Sequence, residues 1–155
     1  MNLESQVTSL ELSKKLHELG VKQESLFYWY KDNNEWLLDY NERLLIEFRE
    51  NYSAFTASEL LELLPHRITI KEHEPFNNFT LYIKKSFIVK ETIKFDSMIT
   101  TYIINYECES TECRGENAWL KRQLFTHNIW DENFSNALAK ILIFLIENEI
   151  IKHDE

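Results

Sequence analysis

The stretch Asn133 to Glu147, NFSNALAKILIFLIE, restricts this chain more than any other. Projected as a helix, its apolar residues cover roughly three quarters of the circumference, leaving Asn133, Asn136, Lys140 and Glu147 as a narrow polar stripe. A helix apolar on most sides lies in a core or also meets a second chain. Leu138, Ile141, Leu142 and Leu145 should face that core, with Ala137 and Ile146 bordering it. Ile143 and Phe144 flank the polar stripe, so they need cover from the loop beginning at Glu109 or from another protomer.

The other elements follow from caps and periodicity. Thr8 and Glu11 fit a capping box, with Val7 and Leu12 as its staple, and the helix so begun should reach about Leu19 and stop at Gly20. Thr56 and Glu59 fit a second box, with Phe55 and Leu60 as staple; Leu60, Leu61 and Leu64 should line one face and Pro65 should end the helix. LFYWY and WLLDY around KDNNE read as a β-hairpin. With Asn33 at its tip, Tyr30 faces Trp36, Tyr28 faces Leu38 and Leu26 faces Tyr40. Asn41 to Tyr52 suits a helix or irregular structure. From Arg67 onward, RITIK, FTLYIK, FIVKETIKF and MITTYIINYE read as an antiparallel meander, broken at Lys85-Ser86 and Asp96-Ser97. Glu109 to Asn117 reads as an exposed loop, Ala118 to Phe125 as a short helix or strand, and Asp131 as the cap of the last helix. The expected fold is a single α+β domain over residues 1–155: one antiparallel sheet, hairpin plus meander, packed by three helices with the last most buried.

Composition narrows the functions. At 155 residues the chain can bury a core without metal or disulfide help. Its two glycines, Gly20 and Gly115, exclude a phosphate-cradling glycine loop. A net charge of −9, with no basic run longer than Lys14-Lys15 or Lys84-Lys85, disfavours direct nucleic-acid binding and attraction to an anionic membrane. The N-terminus lacks the pattern of a signal peptide, and the run Ala137 to Ile146 is too short to span a bilayer, so a cytoplasmic location with reduced Cys108 and Cys113 is expected.

Candidate sites are few, and each has a plainer reading. Cys108, Cys113 and His127 lack a fourth zinc ligand and the usual short cysteine spacing. His66 and His73, near Glu72 and Glu74, could serve an acid–base enzyme, yet strand ends carry polar residues anyway. Glu91 and Lys94 are one residue too far apart for the carboxylate–lysine pair of a metal-dependent nuclease, since they fall on opposite strand faces. SKKLHELGV opens like a helix-turn-helix, but the strand-like LFYWY stands where a recognition helix should follow. No catalytic, cofactor or metal set is therefore assigned. Lys31 to Leu64 holds eight acids, Asp32, Glu35, Asp39, Glu42, Glu47, Glu50, Glu59 and Glu62, against three bases; ranged on one face they could imitate DNA phosphates. Aromatic side chains dominate interface energetics, so Tyr28, Tyr30, Trp36 and Tyr40, with Ile143 and Phe144, make the expected protein-contact surface.

The phrases SLELSKKLHELGVKQESLFYWY, NYSAFTASELLELLP and NALAKILIFLIENEI together resemble a family of small uncharacterised bacteriophage and prophage proteins. The resemblance implies a phage-encoded accessory protein and carries no activity or catalytic residues with it. The expected function is a non-enzymatic protein-interaction module with a protein partner, self-associating through the last helix or the hairpin. The alternatives are an acidic inhibitor that mimics nucleic acid and an enzyme with a site near His66 and His73.

Overall fold

The computed structural model describes residues 2–40, 50–69, 78–92, 95–108 and 129–151. These residues form an α+β chain with antiparallel sheets, as the sequence leads one to expect. Three helices are described: α1 (Leu10–Glu18), α2 (Ala57–Leu63) and α3 (Phe134–Glu147). The chain divides into two compact units, Met1–Leu64 with Asn133–Glu155 and Pro65–Glu132. The hairpin and the meander, expected to share one sheet, belong to different units and different sheets.

In the first unit, β1 (Tyr28–Asp32) is the centre of a three-stranded sheet, with β2 (Glu35–Asp39) on one side and β3 (Asn51–Ser53) on the other. Asn51 and Tyr52, expected in a helix or irregular segment, are thus strand residues; the preceding 41–49 lie outside the described residues. α3 supplies the largest share of the core. Leu138, Ile141, Leu142 and Leu145 are buried as expected, and so are Ala137, Ala139 and Ile143. α2 packs against α3, and α1 packs against both α3 and β3.

The polar positions of α3 do more than meet water. Asn133, not Asp131, caps the helix: its Oδ1 accepts the Asn136 N–H at 3.2 Å, while Asp131 closes a strand. The Asn133 Nδ2 donates to the carbonyls of Val7 (3.0 Å) and Glu4 (3.2 Å), Ser135 Oγ donates to Gln6 O (2.7 Å), and Asn136 Oδ1 accepts the Ser9 N–H (2.8 Å). Three side chains in the first turn of the helix thereby satisfy the backbone of the N-terminal segment.

α1 starts one residue later than its capping signal suggests. Ser9 is the N-cap, accepting the Leu12 N–H, because Thr8 spends its hydroxyl elsewhere. Thr8 Oγ1 accepts the Phe55 N–H at 2.9 Å and shares a hydrogen bond with Ser13 Oγ at 2.7 Å. The end of α1 is a Schellman motif: Val21 N–H reaches Leu16 O, Gly20 N–H reaches His17 O (both 3.0 Å), and Gly20 adopts φ +81°. α3 ends the same way, with Ile150 N–H on Leu145 O and Glu149 N–H on Ile146 O, but there a glutamate holds the left-handed position at φ +56°. The Thr56–Glu59 capping box is present in full; Leu60 and Leu64 are buried, whereas Leu61, expected beside them, is exposed.

The second unit holds a four-stranded antiparallel meander, β4 (Arg67–Thr69), β5 (Asn78–Thr92), β6 (Phe95–Cys108) and β7 (Ile129–Asp131), in sequential order. The expected breaks at Lys85-Ser86 and Asp96-Ser97 do not occur. Lys85 pairs with Tyr102, Ser86 with Thr101, Asp96 with Glu91 and Ser97 with Lys90, so FTLYIK and FIVKE are one strand. A polar dipeptide ends a strand only if its backbone leaves the ladder, and here it does not. At the usual rise per residue β5 is about 50 Å long. Ile68 and Ile104 are buried in this unit, and the Leu81 N–H bonds to His66 O at 2.9 Å.

Candidate functional site

The hairpin's turn sets which residues it can present. Asn33 and Asn34 both take positive φ (46° and 70°), the conformation of a type I′ turn, which asparagine tolerates better than most residues. The loop therefore has two residues, and Asp32 pairs with Glu35. Tyr30 lies opposite Leu37, Trp36 opposite Lys31, and Tyr28 opposite Asp39, one position away from the register expected with Asn33 alone at the tip. A shift of one residue exchanges the two faces of one strand relative to the other. Trp36 accordingly shares a face with Trp29, Lys31 and Leu38, whereas Tyr28 and Tyr30 share the opposite face with Asp32, Glu35, Leu37 and Asp39.

The first of these faces belongs to the core. Trp29 is buried with Val7 and Ala54, and Leu10, Phe27, Trp36, Leu38 and Tyr52 pack around them. The Trp29 indole N–H donates to Thr8 O at 2.9 Å, satisfying the one polar atom that burial would strand. α1 closes over the rim: Lys14 Nζ lies 4.3 Å from the Trp36 ring centroid, and the His17 ring meets Tyr52 edge-on at 5.4 Å.

Of the six residues expected to form a contact surface, the structure leaves one fully open. Tyr40 is 63% exposed; Tyr30, Trp36 and Phe144 are half-buried; Tyr28 and Ile143 are buried. The six do not form one surface, since the hairpin tyrosines Tyr28 and Tyr30 lie across the sheet from Trp36.

Among the exposed apolar residues outside that set are Leu26 and Leu63. Leu26 is 55% exposed, and its backbone N–H is held by Glu59 Oε1 at 2.8 Å. The other oxygen of Glu59 accepts from Thr56 N–H (2.6 Å), Thr56 Oγ1 (2.8 Å) and Ser25 Oγ (3.1 Å). This carboxylate fastens the segment before β1 to the start of α2. Leu63, one helical turn beyond Glu59, is exposed too, and the ring of Phe27 meets that of Tyr40 at 5.6 Å. Glu59 thus ties Leu26 to the helix that carries Leu63, while the ring of Tyr40 rests on Phe27. The sequence signalled Glu59 only as a helix cap, and nothing local marks Leu26 as exposed. Phase places Leu61 beside the buried Leu60, so its exposure was not readable from phase alone.

A second feature is a groove of about 500 Å³ between α1 and α3, floored by Leu12 and Ile143. Its rim alternates in charge: Glu11, Lys14, Lys15 and Glu18 on α1, Lys140 and Glu147 on α3. Lys15 Nζ and Glu147 Oε1 pair at 2.8 Å, and that hydrogen bond, followed by the carboxylate's charge, raises the Lys15 pKa above its ordinary value.

Elsewhere, His66 is exposed in the bend before β4, and His73 lies outside the described residues. Cys108 ends β6, with Cys113 and His127 outside. Glu91 pairs across the ribbon with Asp96, and Lys94 lies outside. No cluster of His, Cys, Asp or Glu that could hold a metal occurs among the described residues. α1 is followed by an extended segment and β1, with no second helix of a helix-turn-helix. Among the acids, Glu50 is paired with Lys31 at 3.2 Å, Glu59 is engaged as above, Glu62 is exposed on α2, and Glu42 and Glu47 lie outside the described residues. No described helix is long and apolar enough to cross a membrane. Compared with protein-family models, curated proteins and solved structures, the chain matches none of them.

Proposed function

We propose that this chain works by binding another protein, through the exposed apolar residues Leu26, Tyr40 and Leu63. The observation that carries this reading is their exposure, with the Leu26 backbone held in place by Glu59 of α2. Apolar side chains held rigidly in water lose little entropy on being covered, which favours association. The setting we infer is the bacterial cytoplasm, as a phage-encoded accessory protein, and its support is the resemblance of three phrases of the sequence. The test is affinity capture from cells that naturally produce the chain, using wild type and the double variant Leu26→Glu/Tyr40→Glu. Both should unfold at the same temperature. A protein retained by wild type and lost by the variant supports the reading; identical capture by both removes it.

A second reading is an acidic inhibitor of a nucleic-acid enzyme, favoured by the shared face of Asp32, Glu35 and Asp39. It predicts salt-sensitive inhibition that Asp32→Asn/Glu35→Gln/Asp39→Asn abolishes, and inhibition unchanged by that variant would remove it.

A further inference from the structure

Among the described residues, the outer edge of β2 carries backbone groups with no strand to receive them. The Ala54 N–H bonds to Phe27 O at 2.8 Å, and the Lys31 N–H bonds to Glu50 O at 3.2 Å. Odd-numbered residues of this strand segment therefore bond toward β3, and the even-numbered Tyr28, Tyr30 and Asp32 bond toward their β2 partners Asp39, Leu37 and Glu35. The β2 residues in between, Trp36 and Leu38, must aim their N–H and C=O groups away from β1. Among the described residues the sheet ends there, in the order β2-β1-β3.

Edge strands are commonly protected by lysine, proline or a bulge. β2, with the sequence EWLLD, has no proline or lysine, and it pairs with β1 without interruption. Its charges are all of one sign. Glu35 and Asp39 flank the exposed Leu37 on one face, and Asp32 lies directly opposite Glu35. Like charges directly opposite one another in a sheet are unfavourable. No ion pair to Asp32, Glu35 or Asp39 occurs among the described residues.

We propose that the edge of β2 receives an extended segment of a partner protein by strand addition, and that this segment alternates as basic–x–apolar–x–basic. Its backbone would bond to Trp36 and Leu38. Its apolar residue would lie beside Leu37, and its two cations beside Glu35 and Asp39, relieving the Asp32–Glu35 repulsion. Main-chain bonds give such a contact its affinity and the alternate side chains its selectivity. The chain's net charge of −9 would draw a basic segment in. This deepens the protein-binding reading above and rests on it.

The probe is a synthetic twelve-residue peptide centred on KTVTK, added to the full chain and followed by amide hydrogen exchange. In the free protein the Trp36 and Leu38 amides should exchange at least about tenfold faster than the inward-facing Leu37 amide. Saturating peptide should slow both by a similar factor. A peptide centred on ETVTE should fail to bind, and Glu35→Lys/Asp39→Lys should weaken the KTVTK peptide at least about fivefold with no loss of melting temperature. Trp36 and Leu38 amides already as protected as Leu37, no slowing by the KTVTK peptide, or equal binding of both peptides would each overturn the proposal. If one of these occurs while Leu26→Glu/Tyr40→Glu still abolishes capture, strand addition fails and the binding surface stands. If capture is unaffected by that variant, the binding reading itself has failed.

Discussion

The Glu59 carboxylate accepts the Leu26 N–H at 2.8 Å, across 33 residues of sequence, while closing the capping box of its own helix with Thr56. One side chain thus does a local and a long-range task. Hydrogen bonds to a charged acceptor contribute more than neutral ones, so Glu59→Ala should cost about 2–3 kcal/mol in urea unfolding. Thr56→Ala, which removes the cap but leaves Leu26 tethered, should cost only about 1 kcal/mol. Equal losses would mean that the tether contributes nothing.

Two positive-φ helix ends give predictions of opposite sign. A Cβ added at Gly20 meets nothing within 4 Å, so Gly20→Ala isolates the backbone cost of φ +81°, about 1 kcal/mol of lost stability. Glu149 bears that cost already at φ +56°, and Glu149→Gly should raise stability by about 0.5–1 kcal/mol. Denaturant melts of the two variants check both signs.

Two buried hydroxyls differ in the same way. Thr8 Oγ1 has two partners, Phe55 N–H and Ser13 Oγ, so Thr8→Val should lose about 1–3 kcal/mol by leaving them unmatched. Ser53 Oγ is buried without a hydrogen bond among the described residues. Ser53→Ala removes a desolvated polar atom and should leave stability unchanged or raise it by up to about 1 kcal/mol. A loss in Ser53→Ala comparable to that in Thr8→Val would contradict the assignment.

The Lys15–Glu147 pair is exposed, and its signature is titration more than stability. A lysine whose folded-state pKa is raised contributes stability that is complete below the unfolded value, 10.5, and lost as pH climbs through the folded value. Carbon shifts of the Lys15 side chain should therefore report a midpoint above 10.5, and Glu147→Gln should return it toward that value. No change on Glu147→Gln would remove the pair as the cause.

How much of this was readable depends on whether each decision is local. The buried side of α3 followed from apolar residues alone, and the stop at Gly20 from glycine's tolerance of positive φ. The start of α1 did not follow, because Thr8 and Ser9 are adjacent and both can cap; a hydrogen bond to Phe55, 47 residues away, decides between them. The hairpin register turned on whether the loop held two residues or three, and two consecutive left-handed asparagines settled it. That single step moved Trp36 away from Tyr28 and Tyr30 and into the core face. No sequence pattern reveals that Asn133, Ser135 and Asn136 bind the N-terminal backbone. The placement of Leu26 was hidden for the same reason: its backbone is held by Glu59, 33 residues away.

Protein binding at Leu26, Tyr40 and Leu63 is tested most directly by site-specific photo-crosslinking in cells that naturally produce the protein. The crosslinker replaces Leu26, Tyr40 or Leu63 in turn, with the exposed Lys22 as a control position. One protein adduct should be common to the first three positions and absent at Lys22. Adducts at all four positions alike, or none at Leu26 and Tyr40, would contradict it.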